Sequence, residues 1–179
     1  FGRGGAGDTN YLQKMALEKK IGFVEFPPLK VNEEIVSTSK SRELIRVGKM
    51  DHVECLLGRK YSISGTVIRG RGIGATIGVP TANVDYSNYL LPKKGVYQAT
   101  ATFGGKSHSA VLNVGRRPTL PENILSLEVH LLNFSQQIYD QELRIEFLRY
   151  LRPEQKFASL DGLKQQIQKD IESVRLEKN

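Results

Sequence analysis

The residues of this chain best suited to chemistry are a glycine-rich stretch from Gly70 to Asn83, a carboxylate at Glu128, and strand ends that carry arginine. The stretch reads Gly-Arg-Gly-Ile-Gly-Ala-Thr-Ile-Gly-Val-Pro-Thr-Ala-Asn. Gly70, Gly72, Gly74 and Gly78 let its backbone reach φ > 0 and approach a ligand without Cβ interference, so that successive N–H groups can converge on an anion. Pro80 adds a fixed φ, Thr81 a hydroxyl and Asn83 an amide. A nucleotide phosphate with its magnesium ion requires such parts, namely donors for the phosphate oxygens and hard oxygen ligands that leave room for water. No Gly-Lys-Ser/Thr follows, so the spacing is not that of a Walker loop. A surface hairpin has the same composition, and the stretch by itself leaves both readings open.

Glu128 belongs to a run, Leu125 to Phe134, in which Leu127, Val129 and Leu131 alternate with Ser126, Glu128 and His130. Alternation puts the carboxylate on the face opposite the leucines, where it is either solvated or used. Used, it can accept the proton of a hydroxyl that attacks a phosphate. His130 can serve the same purpose, or be structural. Asn113 to Thr119 ends another strand with Arg116 and Arg117, which can orient phosphates or stack on a flat ring, or simply form a turn stiffened by Pro118. Leu151-Arg152-Pro153-Glu154, with Phe157 behind it, ends a further strand. No His/Cys/Asp group has the spacing of a structural zinc site, and no Gly-x-Ser-x-Gly supports a serine hydrolase.

Composition bounds the partners. The 179 residues are 39% hydrophobic and 25% charged, as in a soluble globular protein, with a net charge of +7 that favours polyanions. The basic residues are scattered, so charge alone does not choose among nucleotides, nucleic acid and an acidic membrane. No apolar run approaches a membrane span and no signal-peptide pattern occurs, which leads us to expect a cytoplasmic protein without a membrane partner. The single Cys55 cannot form an internal disulfide, and we expect it to be a packed side chain. Oligomeric state is not legible.

The elements that must position these groups change character along the chain. Phe1 to Asp8 reads as a loop, and Thr9 or Asn10 can cap a helix ending near Lys20 with Leu12, Met15 and Ala16 on one face. Ile21 to Phe26, stopped by Pro27-Pro28, fits a buried strand. Ser37 or Ser39 can cap a helix containing Leu44, Ile45 and Val47; Gly48 breaks it, Asp51 starts another through Leu57, and Gly58 ends that one. Alternation begins at Tyr61, so the boundary falls near Gly58 to Lys60, giving segments 1–57 and 58–179. Strands are expected at Tyr61 to Arg69, Gly95 to Phe103, His108 to Val114, Leu125 to Phe134 and Glu142 to Leu151, with a tight hairpin at Gly104-Gly105. Five or six strands so arranged suggest a small antiparallel barrel or sandwich. Ser159 can cap a final helix to about Glu177, whose stripe of Leu160, Leu163, Ile167, Ile171 and Val174 would pack on the sheet.

These motifs together resemble riboflavin kinase. The resemblance is carried by Gly70 to Asn83 with its Pro-Thr-Ala-Asn ending, Gly95-Val96-Tyr97, Asn113 to Thr119, Leu127-Glu128-Val129-His130, and Leu151-Arg152-Pro153-Glu154 with Phe157, in that family's order. Val36 to Arg42, Gly48, and Leu56-Leu57-Gly58-Arg59 resemble the end of the FMN adenylyltransferase domain in bacterial bifunctional FAD synthetases. The resemblance implies a mainly β fold: a six-stranded antiparallel Greek-key barrel with a C-terminal helix over 58–179, preceded by a short α/β remnant of a nucleotidyltransferase domain over 1–57. It implies transfer of the ATP γ-phosphate to the ribityl 5′-hydroxyl of riboflavin, giving FMN and ADP, with Mg²⁺. By it, Glu128 is the catalytic base and Thr81 and Asn83 meet the metal. Gly70, Gly72, Gly74, Gly78 and Pro80 cover ATP, together with Thr81 and Asn83, while Asn113, Arg152 and Phe157 contact the flavin.

The chain departs from the family's pattern at Val79, where Phe is usual, at Ala75, where Arg is common and Arg69 or Arg71 would have to substitute, and at Asp140, where Gly is frequent. No His-x-Gly-His surrounds His52, His108 or His130, so adenylylation of FMN by this chain is not expected. A basic β-barrel that binds nucleic acid is the competing reading; the stacking aromatics it needs are not interleaved in the strands. The kinase reading takes small molecules and no nucleic acid as partners.

Overall fold

A computed structural model describes residues 2–70, 72–87, 89–116 and 125–176. The chain divides into two compact units, residues 1–36 and 37–179.

In the first unit Asp8, not Thr9 or Asn10, caps helix α1 (Thr9–Lys19): its carboxylate accepts the Tyr11 N–H at 2.8 Å. Lys20, left-handed at φ 54°, closes the helix, and none of its residues is buried. The expected strand at Ile21 to Phe26 does not form. That run is irregular, with Phe26 84% exposed, because Pro27 and Pro28 remove two donors and, among the described residues, no strand pairs with it. A two-stranded ribbon, β1 (Lys30–Val31) with β2 (Glu34–Ile35), follows instead, turning through Asn32 and Glu33 at positive φ.

The second unit opens with α2 (Thr38–Val47) and α3 (Met50–Leu57). Ser37 caps α2 by accepting the Lys40 N–H at 3.2 Å, and Gly48 ends it at φ 76°. Leu44, Ile45, Met50, Val53 and Leu56 are buried, whereas Cys55 is exposed, contrary to expectation, because it lies off the apolar stripe of α3. The compact unit thus starts at Ser37, earlier than the change of sequence pattern near Gly58, which marks where the barrel begins.

The barrel is closed and antiparallel. Its strands are β3 (Ser62–Ile68), β4 (Ala82–Asp85), β5 (Gly95–Phe103), β6 (Lys106–Arg116), β7 (Leu125–Leu131) and β8 (Glu142–Arg152). They pair in the cyclic order β3-β4-β7-β6-β5-β8, a Greek-key path in which β4 lies beside β7. Period-two alternation fills the interior with Ile63, Val67, Tyr97, Leu112, Val114, Leu127, Val129, Leu143, Ile145 and Phe147, each at most 1% exposed. Tyr97 stands edge-on to Phe147 and to Tyr150, at 5.5 and 5.2 Å between ring centroids. Closure leaves the barrel without a free sheet edge among the described residues.

The outer face of the barrel is not simply solvated. Helix α5 (Leu160–Leu176), whose first turn is held where Ser159 Oγ accepts the Gly162 N–H at 3.2 Å, lies on it. Val174 and Ile171 pack there against Val96, Val111, Leu132 and Leu151, so the helix covers residues that alternation points outward. At that seam the polar positions of the strands meet a second layer.

Candidate active site

Register explains how residues distant in sequence converge. Asn83 of β4 lies opposite Glu128 of β7, Glu128 opposite Asn113 of β6, Asn113 opposite Val96 of β5, and Val96 opposite Arg152 of β8. Directly opposed residues share a face, so Asn83, Glu128, Asn113 and Arg152 form one belt around the outside of the barrel. Asn83 therefore sits on a strand, not in the loop where its sequence neighbours suggested. One register slip would turn every member of the belt inward.

A cavity of roughly 290 Å³ lies over this belt. Glu128, His130 and Asn113 line its floor; Gly74, Ile77, Val79 and Thr81 form the loop side; Leu163, Ile167 and Asp170 come from α5; and Arg152, Glu154 and Phe157 come from the end of β8 and beyond. Glu128 is half-buried, set between two amide side chains. A second cavity of roughly 280 Å³ is lined by Ala75, Pro80, Thr81, Phe134, Gln136 and Tyr139 among others, and Thr81 borders both.

The glycine-rich stretch is less free than its composition suggests. It folds around a single helical turn, α4 (Ile73–Thr76), and is sewn to β4 by close approach. A Cβ on Gly70 would strike the Asn83 carboxamide; one on Gly74 would strike the Val79 carbonyl oxygen and stand 3.3 Å from Thr81 Oγ1. Gly72 and Gly78 take left-handed φ of 70° and 79° and do not line the first cavity. Pro80 faces the second cavity, and its carbonyl oxygen accepts the Nδ1–H of His130 at 2.8 Å. Arg69 stacks over the Tyr139 ring at 5.0 Å. Arg71, Arg117, Pro118 and Thr119 lie outside the described residues.

Asn83 bears on metal binding. Its Oδ1 is buried and has no hydrogen-bond partner among the described residues, although an amide oxygen in that position ordinarily finds one. A buried hard oxygen two residues on from the hydroxyl-bearing Thr81 is a donor set that suits Mg²⁺, which takes few protein ligands and keeps several waters.

Arg152 is not a free cation aimed at a ligand. Its Nε donates to Asp170 Oδ1 at 2.9 Å and its Nη2 to Oδ2 at 2.7 Å, while Nη1 donates to the Pro153 carbonyl at 3.1 Å. Gln166 Nε2 donates to the same carboxylate at 3.1 Å. Asp170 is 6% exposed, so the pair is a two-pronged, largely desolvated latch between α5 and the end of β8. Sequence reasoning passed over Asp170, yet its signal is present: it falls three residues after Ile167 and four before Val174, a charge inside the apolar stripe.

Fold and site together define a small-ligand barrel whose two adjoining cavities lie outside the strands. More narrowly, the riboflavin kinase (flavokinase) family model matches residues 57–177, and the chain belongs to that family. It is 38% identical over 169 residues to the bifunctional riboflavin kinase/FMN adenylyltransferase of Haemophilus influenzae, covering 93% of this chain and 55% of that protein. The bifunctional protein of the same description from Pseudomonas fluorescens is 35% identical over 176 residues, covering 98% and 57%. A crystal structure described as a macrolide-efflux protein from Streptococcus pneumoniae superposes with TM-score 0.81 at 27% identity, over 93% of this chain and 54% of that one. The chain thus spans a little over half the length of the curated relatives it matches. Among the described residues no helix is long and apolar enough to cross a membrane. These matches do not favour the nucleic-acid-binding alternative.

Proposed function

We propose that this chain transfers the γ-phosphate of ATP to the ribityl 5′-hydroxyl of riboflavin, giving FMN and ADP. The observation that carries the reading is the meeting of two cavities at Thr81, with Glu128 in the floor of one. A bisubstrate reaction requires that juxtaposition, since phosphoryl transfer depends mainly on holding donor and acceptor in line.

The first cavity suits the flavin. Phe157, Val79 and Ile167 offer flat apolar surface for a ring system, while Asn113 and Glu128 offer polar atoms for the ribityl chain. The second, with Phe134, Tyr139 and the Gln136 amide, suits the nucleotide. Glu128 accepts the proton of the 5′-hydroxyl as its oxygen bonds to the γ-phosphorus and the bond to the β,γ-bridging oxygen breaks. Thr81 Oγ1 and Asn83 Oδ1 are the groups that would hold Mg²⁺. When bound, the ion neutralises charge on the phosphate oxygens. The loop from Gly70 to Val79 forms one wall and excludes water, which would otherwise compete with the hydroxyl for ATP. In this reading the kinase domain is residues 58–179, and residues 1–57 correspond to the end of an adenylyltransferase domain; the family match, which starts at residue 57, supports that division.

The test is incubation of the purified chain with riboflavin, ATP and Mg²⁺, with flavins separated chromatographically. FMN and ADP in equal amounts are expected; ADP without FMN, or no turnover, rejects the reading.

A further inference from the structure

We infer that His130 is the positioning residue for Thr81, acting through the carbonyl of Pro80. Backbone pairing between β4 and β7 runs from Val84↔Leu127 through Asn83↔Glu128 to Ala82↔Val129 and stops there. Thr81 is thus the first residue beyond the ladder, and it lines both cavities. The residue before it is a proline, which has no N–H and cannot extend the ladder by donating. His130, next along β7 after the last paired residue, supplies the missing tie with its side chain: Nδ1 lies 2.8 Å from the Pro80 oxygen. A carbonyl oxygen can only accept, so Nδ1 carries the proton.

Thr81 is consequently held from both sides. Its C-terminal neighbour Ala82 is fixed by the ladder, and the peptide on its N-terminal side is fixed by the histidine. On β7 the same strand face presents Glu128 and, two residues on, His130. One strand therefore bears on both the carboxylate and, through the Pro80 bridge, the hydroxyl. Opposite His130 on its other side lies Val111 of β6, which α5 covers, while the bond to Pro80 is itself exposed.

The consequence for turnover rests on the kinase reading; the hydrogen bond and its effect on the loop do not. Two arms separate them. In ¹⁵N-labelled protein, His130 should show the Nδ1–H tautomer, and His130→Ala should speed amide exchange at Thr81 and Ala82 relative to Glu128. Observation of the Nε2–H tautomer, or unchanged exchange in the variant, overturns the bridge. In steady state with riboflavin, ATP and Mg²⁺, His130→Ala should lower kcat roughly tenfold, the worth of one well-placed hydrogen bond. His130→Asn, whose amide N–H reaches the position of Nδ1, should restore most of kcat. Failure of the asparagine to rescue would make His130 a structural residue and refute the inference. If the parent chain forms no FMN, the kinase reading falls alone and the exchange arm still decides the bridge.

Discussion

Replacing Asp170 with Asn tests whether the α5 latch holds the flavin cavity in shape. The substitution keeps the side-chain volume and removes one acceptor and the charge. If the new amide nitrogen takes the place of Oδ2, the 2.7 Å bond from Arg152 Nη2 is lost; if it takes the place of Oδ1, the bonds from Nε and from Gln166 are lost. In either orientation a donor faces a donor, and the guanidinium, 16% exposed, keeps its charge without a counter-ion. A hydrogen bond to a charged group contributes about 1.5–3 kcal/mol, and breaking a buried pair by removing one partner costs about 3–5 kcal/mol. Because Arg152 retains some solvent and the asparagine still accepts one bond, we expect about 2–3 kcal/mol. In a domain of this size that lowers the melting temperature by roughly 5–10 °C. The same change loosens Leu163, Ile167 and Phe157 around the cavity, and riboflavin affinity should fall at least tenfold, read from quenching of flavin fluorescence. Asp161→Asn, an exposed acid in the first turn of the same helix, is the control and should change neither quantity. A melting temperature and flavin affinity for Asp170→Asn equal to those of the control would refute the latch.

Further outcomes follow from the same geometry. Glu128→Gln should lower kcat by roughly 10²–10⁴-fold with little change in the binding of riboflavin or ATP, and equal turnover would remove Glu128 from the mechanism. Asn83→Leu, which replaces the unpaired buried oxygen with an apolar group, should raise the Mg²⁺ concentration needed for half-maximal nucleotide binding without lowering the melting temperature; an unchanged Mg²⁺ requirement in calorimetric titration rejects that oxygen as a ligand. Gly74→Ala should displace Thr81 through the clash with the Val79 carbonyl and weaken Mg²⁺-dependent ATP binding, and a neutral result would show that close packing of Gly74 on Val79 does not position Thr81. Burial pushes the Tyr97 phenol above the ordinary tyrosine value of 10.0, and Tyr61 and Tyr86 move the same way for the same reason. Groups raised on folding contribute stability that is complete below the unfolded value and is lost as pH rises above it, so urea midpoints should fall above about pH 10. Tyr97→Phe should flatten that decline while lowering stability at neutral pH through loss of the bond to the Lys93 carbonyl, donated at 2.6 Å.

Much of this molecule is determined locally and can be read from the chain. The alternation of Leu127, Val129 and Leu131 against Glu128 and His130, the Gly104-Gly105 turn, the Ser37 and Ser159 caps and the glycine stops at Gly48 and Gly58 each depend on neighbours within a few residues. So does the apolar stripe of α5. Local pattern misled at Ile21 to Phe26, where hydrophobicity without a pairing strand does not make a strand, and at Asn83, where a short strand was hidden behind a loop motif.

What only the tertiary structure decided is distance. Register between β4, β7 and β6 brings Asn83, Glu128 and Asn113 into one belt, and no one-dimensional pattern specifies register between strands so far apart in sequence. The same holds for side-chain partners. Arg152, which lines the first cavity, is also half of a latch with Asp170, and His130, a lone strand histidine in sequence, is the tie on Pro80. The sequence by itself supplied the chemical groups and the faces they occupy. Closure of the barrel and the docking of α5 decided which groups meet, because those contacts depend on packing energy summed over the whole core.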